Sequence, residues 1–132
     1  MYLLDTNALI ILLFNKITTA KLSGPTMTIM KTTEKLHVSI VSLWEMAIKM
    51  RLGKLSLKYS IKEIEDRCLK ENVEIIPIKA LHIDKMNEMP YLADHKDPFD
   101  RMIMAVALLE EMVLISTDDK LRRPEYGVNV IW

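Results

Sequence analysis

An α/β fold with a mainly parallel sheet is predicted by the alternation of strand-like and helix-like segments along this chain. The strand-like segments are short apolar runs, rich in Val, Ile and Leu, that lack strict polar alternation. Such runs are typical of parallel strands that helices cover on both faces. The predicted strands, in chain order, are residues 2–4, 37–41, 73–78, 113–116 and 128–132.

Segments with helical spacing lie between these strands. Residues 8–15 are largely apolar, and residues 42–51 and 61–70 mix apolar with charged positions. Residues 98–112 place one apolar stripe along a helix, formed by Phe99, Met102, Ile103, Val106 and Leu109. Crossovers between parallel strands are right-handed, and the ligand site of such folds lies at the carboxyl ends of the strands.

The segment from 16 to 36 has a weaker pattern. Gly24 and Pro25 are expected to break any helix near its middle, yet apolar residues on either side need cover. We expect a helical piece there, packed over the active edge of the sheet or against a partner.

Size and composition predict a single domain over residues 1–132 in a reducing, cytoplasmic setting. The 18 basic and 18 acidic side chains cancel, so any polyanion must meet a local basic patch. Cys68 is the only cysteine, which excludes an internal disulfide and a thiolate zinc cluster. The apolar run at 8–14 follows acidic and polar residues and is too short to span a bilayer, so neither a targeting segment nor a membrane anchor is expected.

Asp5 and Glu45 each stand near the start of a predicted helix, where a carboxylate has two alternative roles. Asp5 follows the first strand, so it is either the N-cap of the next helix or a site residue. Ser42 and Glu45 have the spacing of a capping box, which locally favours a structural role for the glutamate. The local pattern leaves both roles open for these two acids.

The remaining acidic segments are DPFD at 97–100 and DD at 118–119. Asp97 precedes a proline and is predicted to cap the helix. Asp100 lies one turn further on and is free to project outward, although a favourable helix-dipole charge is the alternative role. One of Asp118 and Asp119 is expected to make the turn that follows the fourth strand.

Topology predicts that these acids meet, because parallel strands end and their crossover helices begin at the same edge of a sheet. The residues expected at that edge are Asp5, Glu45, Asp100 and Asp118. Capping acids also gather there for local reasons, so a close approach between the carboxylates is the decisive property. Two carboxylates about 4 Å apart repel by roughly 4 kcal/mol at an effective dielectric of 20, so a close cluster implies a bound cation. Oxygen ligands favour Mg²⁺ or Mn²⁺, and the waters that Mg²⁺ retains suit phosphodiester hydrolysis.

Five strings in this chain occur in the order found in PIN-domain toxins of the VapC type, and the chain resembles that family over nearly its whole length. The strings are LDTNALI at 4–10, SLWEMAIK at 42–49, GKL at 53–55, HKDPFDR at 95–101 and STD at 116–118. The resemblance implies a three-layer α/β/α fold and an endoribonuclease that depends on Mg²⁺ or Mn²⁺. It also implies a small antitoxin partner that neutralises the toxin.

The resemblance further implies the metal-binding and catalytic residues, with the hydroxyl of Thr6 or Ser116 in support. The family's four acids correspond to Asp5, Glu45, Asp100 and Asp118. Basic residues near the expected cleft are candidates for the RNA backbone, although each could equally be solvated surface. These candidates are Lys49, Arg51, Lys54, Lys96, Arg101, Arg122 and Arg123. Trp44 could stack on a base, but core packing is the favoured role for it.

A homodimer is expected because the chain has ten methionines and more apolar residues than one core needs, and methionine-rich surfaces suit interfaces. The alternative is that these residues fill the core. The apolar residues concerned are Leu12, Leu13, Met27, Ile29 and Met30. We expect an antitoxin to place a basic side chain among the clustered carboxylates.

Two other functions compete with the nuclease. An aspartate-based phosphatase or phosphotransferase also places an Asp after the first strand, but it commonly needs a second acid where this chain has Asn7. A non-catalytic α/β binding module, in which every acid is a cap, is the other alternative. The presence of all four acids argues against it.

Overall fold

Five parallel strands form the central sheet in the computed structural model, which describes residues 1–15 and 21–132. The sheet order is β3-β2-β1-β4-β5, so β1 lies in the middle with β2 and β4 on either side. The prediction of a parallel α/β fold is therefore confirmed. The strands are β1 (Tyr2–Leu4), β2 (Leu36–Ser39), β3 (Val73–Ile76), β4 (Val113–Ile115) and β5 (Val130–Ile131).

Helices connect these strands and cover both faces of the sheet. They are α1 (Thr6–Phe14), α2 (Gly24–Thr32), α3 (Ile40–Arg51), α4 (Ile61–Lys70), α5 (Ala80–Glu88) and α6 (Pro98–Leu109). Two short 3-10 helices, Asp119–Arg122 and Pro124–Tyr126, follow β4. None of the described helices is long and apolar enough to cross a membrane.

Each strand of the sheet centre sends alternate side chains into two separate cores, because successive strand residues point to opposite faces. Leu4 and Ile115 belong to the first core, which is shared with α1, α2 and α4, whereas Leu3 and Leu114 belong to the second core, which is shared with α6. Helices thus pack on both faces of the sheet, as the three-layer α/β/α prediction requires.

Gly24 and Pro25 begin α2 instead of breaking a helix, so that expectation is wrong. Ser23 caps α2, since its Oγ accepts the backbone N–H of Thr26 at 3.3 Å, and Pro25 occupies the first turn, where its missing N–H costs nothing. Thr26 also donates its hydroxyl to the carbonyl of Trp132 at 2.8 Å. The expected helical piece exists from Gly24 onward, and residues 16–20 lie outside the described part of the chain.

The apolar residues on which the homodimer prediction rests pack mostly in the first core. Leu13 and Met30 are buried, and the other three are partly buried and pack against the same core: Leu12, Met27 and Ile29. Leu13 and Met30 therefore fill the core, the other three contribute part of their surface to it, and the homodimer stays a prediction.

Helix α5 was not predicted from the sequence. Its His82 is fully buried, accepts the N–H of Lys79 through Nδ1 at 3.0 Å, and places Nε2 2.8 Å from Glu110 Oε1. The segment carries polar and charged residues at several positions, so its apolar periodicity is weak. A tertiary contact to the end of α6, rather than local pattern, holds α5 in place.

Candidate active site

Asp5 leaves the carboxyl end of β1 and acts as a cap and a site residue at the same time. Its Oδ1 accepts the backbone N–H of Ala8 at 2.7 Å, which caps α1, and its Oδ2 accepts the hydroxyl of Ser116 at 2.5 Å. Ser116 follows β4, the neighbouring strand, so the contact joins two strand ends. The two roles weighed for Asp5 are compatible, because each uses a different oxygen.

Glu45 does not form the capping box that the local sequence favoured. Helix α3 begins at Ile40 and is capped by Ser39, so Glu45 lies inside the helix and its side chain is free of the cap. Its Oε1 accepts the hydroxyl of Thr6 at 2.6 Å, and its Oε2 lies 2.8 Å from Lys49 Nζ. Thr6 thereby ties the start of α1 to α3 beside Asp5.

Asp97 caps α6 as predicted, whereas Asp100 projects toward the cavity. Oδ1 of Asp97 accepts the backbone N–H groups of Phe99 and Asp100 at 2.9 and 3.1 Å, so Asp97 caps α6. Asp100 projects from the first turn, and its Oδ2 lies 3.0 Å from His95 Nε2. The division between a capping and a projecting carboxylate agrees with the sequence prediction.

Asp118 makes the turn after β4 and also faces the other acids. Its Oδ1 accepts the N–H of Lys120 at 2.9 Å, while its own N–H donates to Ser116 Oγ at 3.0 Å. His95, Asp100 and Asp118 each have one possible metal-ligand atom, and these three atoms lie within 4.8 Å of one another. Asp119 points elsewhere, to an ion pair with Arg122.

These acids share one open cavity of about 150 Å³ at the carboxyl edge of the sheet. All four acids that the sequence predicts at this edge lie there. The lining residues are Asp5, Thr6, Asn7, Glu45, Lys49, Asp97, Asp100 and Asp118.

Electrostatics in this cavity disfavours negative charge. Burial raises the pKa of Asp5 to about 6, against the hydrogen bonds from Ser116 and Ala8, and the nearby carboxylates of Asp100 and Glu45 add to the rise. Burial likewise raises the pKa of Asp100 to about 6, against its hydrogen bond to His95, with Asp97, Asp118 and Glu45 adding to it. Ionised carboxylates in this cavity are therefore costly unless a cation compensates them.

Lys49 is the cationic side chain among the residues that line the cavity. Partial burial opposes its charge, but its hydrogen bond to Glu45 and the nearby Asp100 and Asp97 raise the pKa of this ammonium group. One ammonium faces five lining carboxylates, so the donor set fits a hard divalent cation such as Mg²⁺ or Mn²⁺.

His95 and Tyr126, neither of which was predicted from the sequence as a site residue, extend the site behind Asp100. Tyr126 places its hydroxyl 2.8 Å from His95 Nδ1, while His95 Nε2 contacts Asp100. Burial raises the pKa of Tyr126, which keeps its hydroxyl protonated and able to donate. Both side chains are buried, so this chain of hydrogen bonds orients one oxygen of Asp100. The position of His95 in the HKDPFDR string was the available signal for it in the sequence.

The prediction that Arg101 contacts RNA is wrong, because this residue is only 1% exposed. Its guanidinium lies 3.7 Å from the Tyr91 ring centre and donates to backbone carbonyls of Met86, Met89 and Pro90. Arg101 therefore holds the end of α5 and the following loop against α6.

The other basic candidates differ in their surroundings. Lys49 lines the cavity, and Arg51, Lys54 and Lys96 are exposed. Arg122 packs over the Trp132 ring at 3.5 Å, and Arg123 forms an ion pair with Asp94. Of the candidate cations, only Lys49 is among the lining residues.

Trp44 does not pack in the core, so the favoured role for it is wrong. Its side chain is 62% exposed, and its ring meets Phe99 edge-on, with the ring centres 5.1 Å apart and the planes at 79°. Helical rotation explains this outcome, because Leu43 and Met46 face the first core and leave position 44 on the outer side of α3.

Comparisons with known proteins agree with this fold. The family model described as PIN domain matches residues 2–125. The structure resembles FitAcB from Neisseria gonorrhoeae with a TM-score of 0.65 and 19% identity, over 100% of this chain and 97% of that one. It resembles VapBC2 from Rickettsia felis, bound to a promoter DNA fragment, with a TM-score of 0.64 and 18% identity, over 98% and 96% of the chains.

A toxin-antitoxin complex from Klebsiella pneumoniae is a further similar structure, with a TM-score of 0.61 and 21% identity over 100% of this chain and 97% of that one. Among curated proteins, none matches this sequence. At these identities the structural likeness shows the shared fold.

Proposed function

This chain belongs to the PIN-domain family, whose model matches residues 2–125, and on that premise we propose that it is a metal-dependent endoribonuclease, a VapC-like toxin neutralised by an antitoxin. The observation that carries the proposal is the shared cavity of Asp5, Glu45, Asp100 and Asp118, in which two carboxyl groups have pKa values raised to about 6. The similar structures named for toxin-antitoxin complexes support the same class of function.

Each carboxylate is oriented by a neighbouring group. The hydroxyl of Ser116 and the N–H of Ala8 hold Asp5, and the hydroxyl of Thr6 holds Glu45. These four acids would hold Mg²⁺ or Mn²⁺, which when bound stabilises negative charge on a phosphate and lowers the pKa of a coordinated water. Fixed ligands need no rearrangement during the reaction, which is the main contribution of such a site.

Proton transfer is assigned to Asp100 in this proposal. His95 holds Oδ2 of Asp100, so the second oxygen is the one that we assign to orienting the attacking water. Lys49 contacts Glu45 and is placed to meet a phosphate oxygen of the substrate at the cavity. An aspartate-based phosphatase is disfavoured, because Asn7 lines the cavity at the position where that chemistry commonly needs a second acid.

Metal addition tests the proposal directly. We expect cleavage of RNA with Mg²⁺ or Mn²⁺ and none with a chelator, together with a rise in melting temperature on adding Mn²⁺, because the ion binds only the folded site. Absence of RNA cleavage under every metal condition contradicts the nuclease, and a melting temperature unchanged by millimolar Mn²⁺ contradicts the metal site.

The stabilisation by Mn²⁺ should depend on pH. Asp5 and Asp100 have folded pKa values near 6, above the ordinary value of 3.8, so the metal-free folded state binds more protons than the unfolded state between these values. Their contribution to stability is present below about pH 4 and is lost as the pH rises through about 6. Protons also compete with the metal, so the rise in melting temperature should be larger at pH 7.5 than at pH 5. Calorimetry at both pH values measures it.

Neutralisation is proposed to use a basic side chain from the antitoxin. An Arg or Lys entering the cavity would form charge-assisted hydrogen bonds with carboxylates that lack matching positive charge. We expect the protein encoded beside this chain to bind it and suppress RNA cleavage, measured by mass in solution and by the cleavage assay. Retention of full activity in a stable complex would contradict this mode of inhibition.

A homodimer remains part of the proposal. Three leucines, Leu52, Leu69 and Leu81, are more than half exposed and lie outside the cavity. The solution mass of the protein alone, measured in the same experiment, gives its oligomeric state.

A further inference from the structure

Among the residues that the structure describes, Glu45 is the only one of the four acids that forms an ion pair with a lysine or arginine. Its Oε2 lies 2.8 Å from Lys49 Nζ, and its Oε1 accepts the hydroxyl of Thr6 at 2.6 Å. Groups of this chain therefore engage both oxygens. The side chain of Glu45 is only 10% exposed, whereas that of Lys49 is 38% exposed. An ammonium group that is open to solvent thus neutralises a buried carboxylate.

This ion pair differs from an ordinary one on a helix surface. Glu45 and Lys49 are four residues apart on α3, in the order that favours a helical ion pair. Lys62 and Asp66 on α4 have the same spacing, and both of their side chains are more than half exposed. The pair on α3 instead lines the acidic cavity, where Asp100 also attracts the ammonium group. Lys49 therefore belongs to the electrostatics of the site.

A divalent cation and the Lys49 ammonium group compete for Glu45, because two positive charges that share one carboxylate repel each other. The hydroxyl of Thr6 occupies Oε1, so Oε2, which Lys49 contacts, is the oxygen left for a cation. The flexible four-carbon stem of a lysine lets its ammonium group move at little cost. Glu45 can therefore bind a metal ion fully only after Lys49 has left it.

Displacement of Lys49 supplies a free positive charge for the substrate. Lys49 is the cationic side chain among the described residues that line the cavity, and it is paired with Glu45. An ammonium group released from that pair has three N–H donors to offer a phosphate oxygen. Metal binding and phosphate binding are then linked through one side chain.

We propose that Lys49 is a displaceable counter-ion of the metal site, which holds the place of the cation on Glu45 until metal binding releases it to contact a phosphate of the RNA. The inference rests on the nuclease function proposed above and deepens it, since it gives the order in which metal and RNA bind. Linked binding events are reciprocal, so loss of the Lys49 contact strengthens metal binding. Coupling between two such events typically amounts to about 5- to 150-fold in affinity.

Titration calorimetry with Mn²⁺ in the absence of RNA tests the competition. Lys49→Met should bind Mn²⁺ about 5- to 150-fold more tightly than the unmodified protein, because the competing charge is gone. Lys49→Arg keeps the charge and should show no gain. Lys62→Met is the matched control, since it removes one charge and one helical ion pair outside the cavity, and its Mn²⁺ affinity should be unchanged. Equal or weaker Mn²⁺ binding by Lys49→Met would overturn the proposal.

Cleavage kinetics at saturating Mn²⁺ test the release of Lys49 to the substrate. Lys49→Met should raise KM for RNA roughly 10-fold or more, because a hydrogen bond from a charged group to the phosphate is lost. Tighter metal binding together with weaker RNA binding does not arise from a general loss of structure. An unchanged KM would reject the release step. Tighter Mn²⁺ binding by Lys49→Met, with no RNA cleavage by any variant, would uphold the competition at Glu45 and reject the proposed nuclease.

Discussion

Substitution of Asp5, Glu45, Asp100 or Asp118 by its amide should lower RNA cleavage by more than about 100-fold, because even partners of metal ligands are worth about 10- to 100-fold. Each change removes one negative charge from the cavity while keeping the shape of the side chain. Asn at position 5 still accepts the N–H of Ala8 and so preserves the cap of α1. The folded state should therefore survive, and Asp5→Asn and Asp100→Asn remove carboxyl groups that burial already disfavours as anions.

Asp97→Asn is the matched control, since Asp97 also lines the cavity and is close in sequence to Asp100. Its Oδ1 is engaged by two backbone N–H groups, and Asn caps helices about as well as Asp. We expect this variant to keep most of its activity. Cleavage rates, metal-induced melting shifts and circular dichroism should be measured for all variants together. Equal losses for Asp97→Asn and Asp100→Asn would refute the division between cap and catalytic residue.

Arg101→Met should lower the free energy of unfolding by at least about 3 kcal/mol, because a hydrogen bond to a charged group contributes about 1.5–3 kcal/mol and three backbone carbonyls lose their donor. The affected carbonyls belong to Met86, Met89 and Pro90. Total stabilities of about 5–15 kcal/mol are usual, so this loss is a large part of the whole. Denaturant titration of the variant and the unmodified protein measures it.

Lys96→Met provides the comparison, because Lys96 is exposed and a surface change usually alters stability by less than about 0.5 kcal/mol. Arg101→Lys keeps the charge but loses the planar fork of donors, so it should recover only part of the stability. A stable Arg101→Met protein with weakened RNA binding would show that the original surface interpretation of Arg101 was correct.

The local sequence predicted those parts of the site that depend on near neighbours, and it failed for those that depend on strand pairing. Asp97 before Pro98 was recognised as a cap because capping depends on neighbours within one turn. The capping box at Ser42 and Glu45 has an equally good local pattern, yet the helix starts earlier, at Ile40. Where β2 ends is decided by its pairing with β1 and β3, and this sets the start of α3.

The burial of single side chains also could not be predicted from the local sequence. Arg101 follows Asp100 in a motif beside the expected cleft, which suggested a phosphate contact, but helical rotation turns it toward the carbonyls after α5. Helix α5 itself was not predicted, so its carbonyls could not be foreseen as partners. The buried position of His95 behind Asp100 likewise depends on Tyr126, which lies 31 residues further along the chain.

The sequence by itself determined the parallel α/β class and the edge at which the acids meet, because apolar runs, helix starts and crossover handedness depend on local composition and general chain geometry. Only the tertiary structure decided the distances within the cavity and the bonds that orient its acids: Ser116 to Asp5, Thr6 to Glu45, and His95 to Asp100. It also decided that Trp44 is exposed and Arg101 is buried. Hydrogen bonding and desolvation act between residues that are far apart in sequence, so they take effect only when the packed elements bring those residues together.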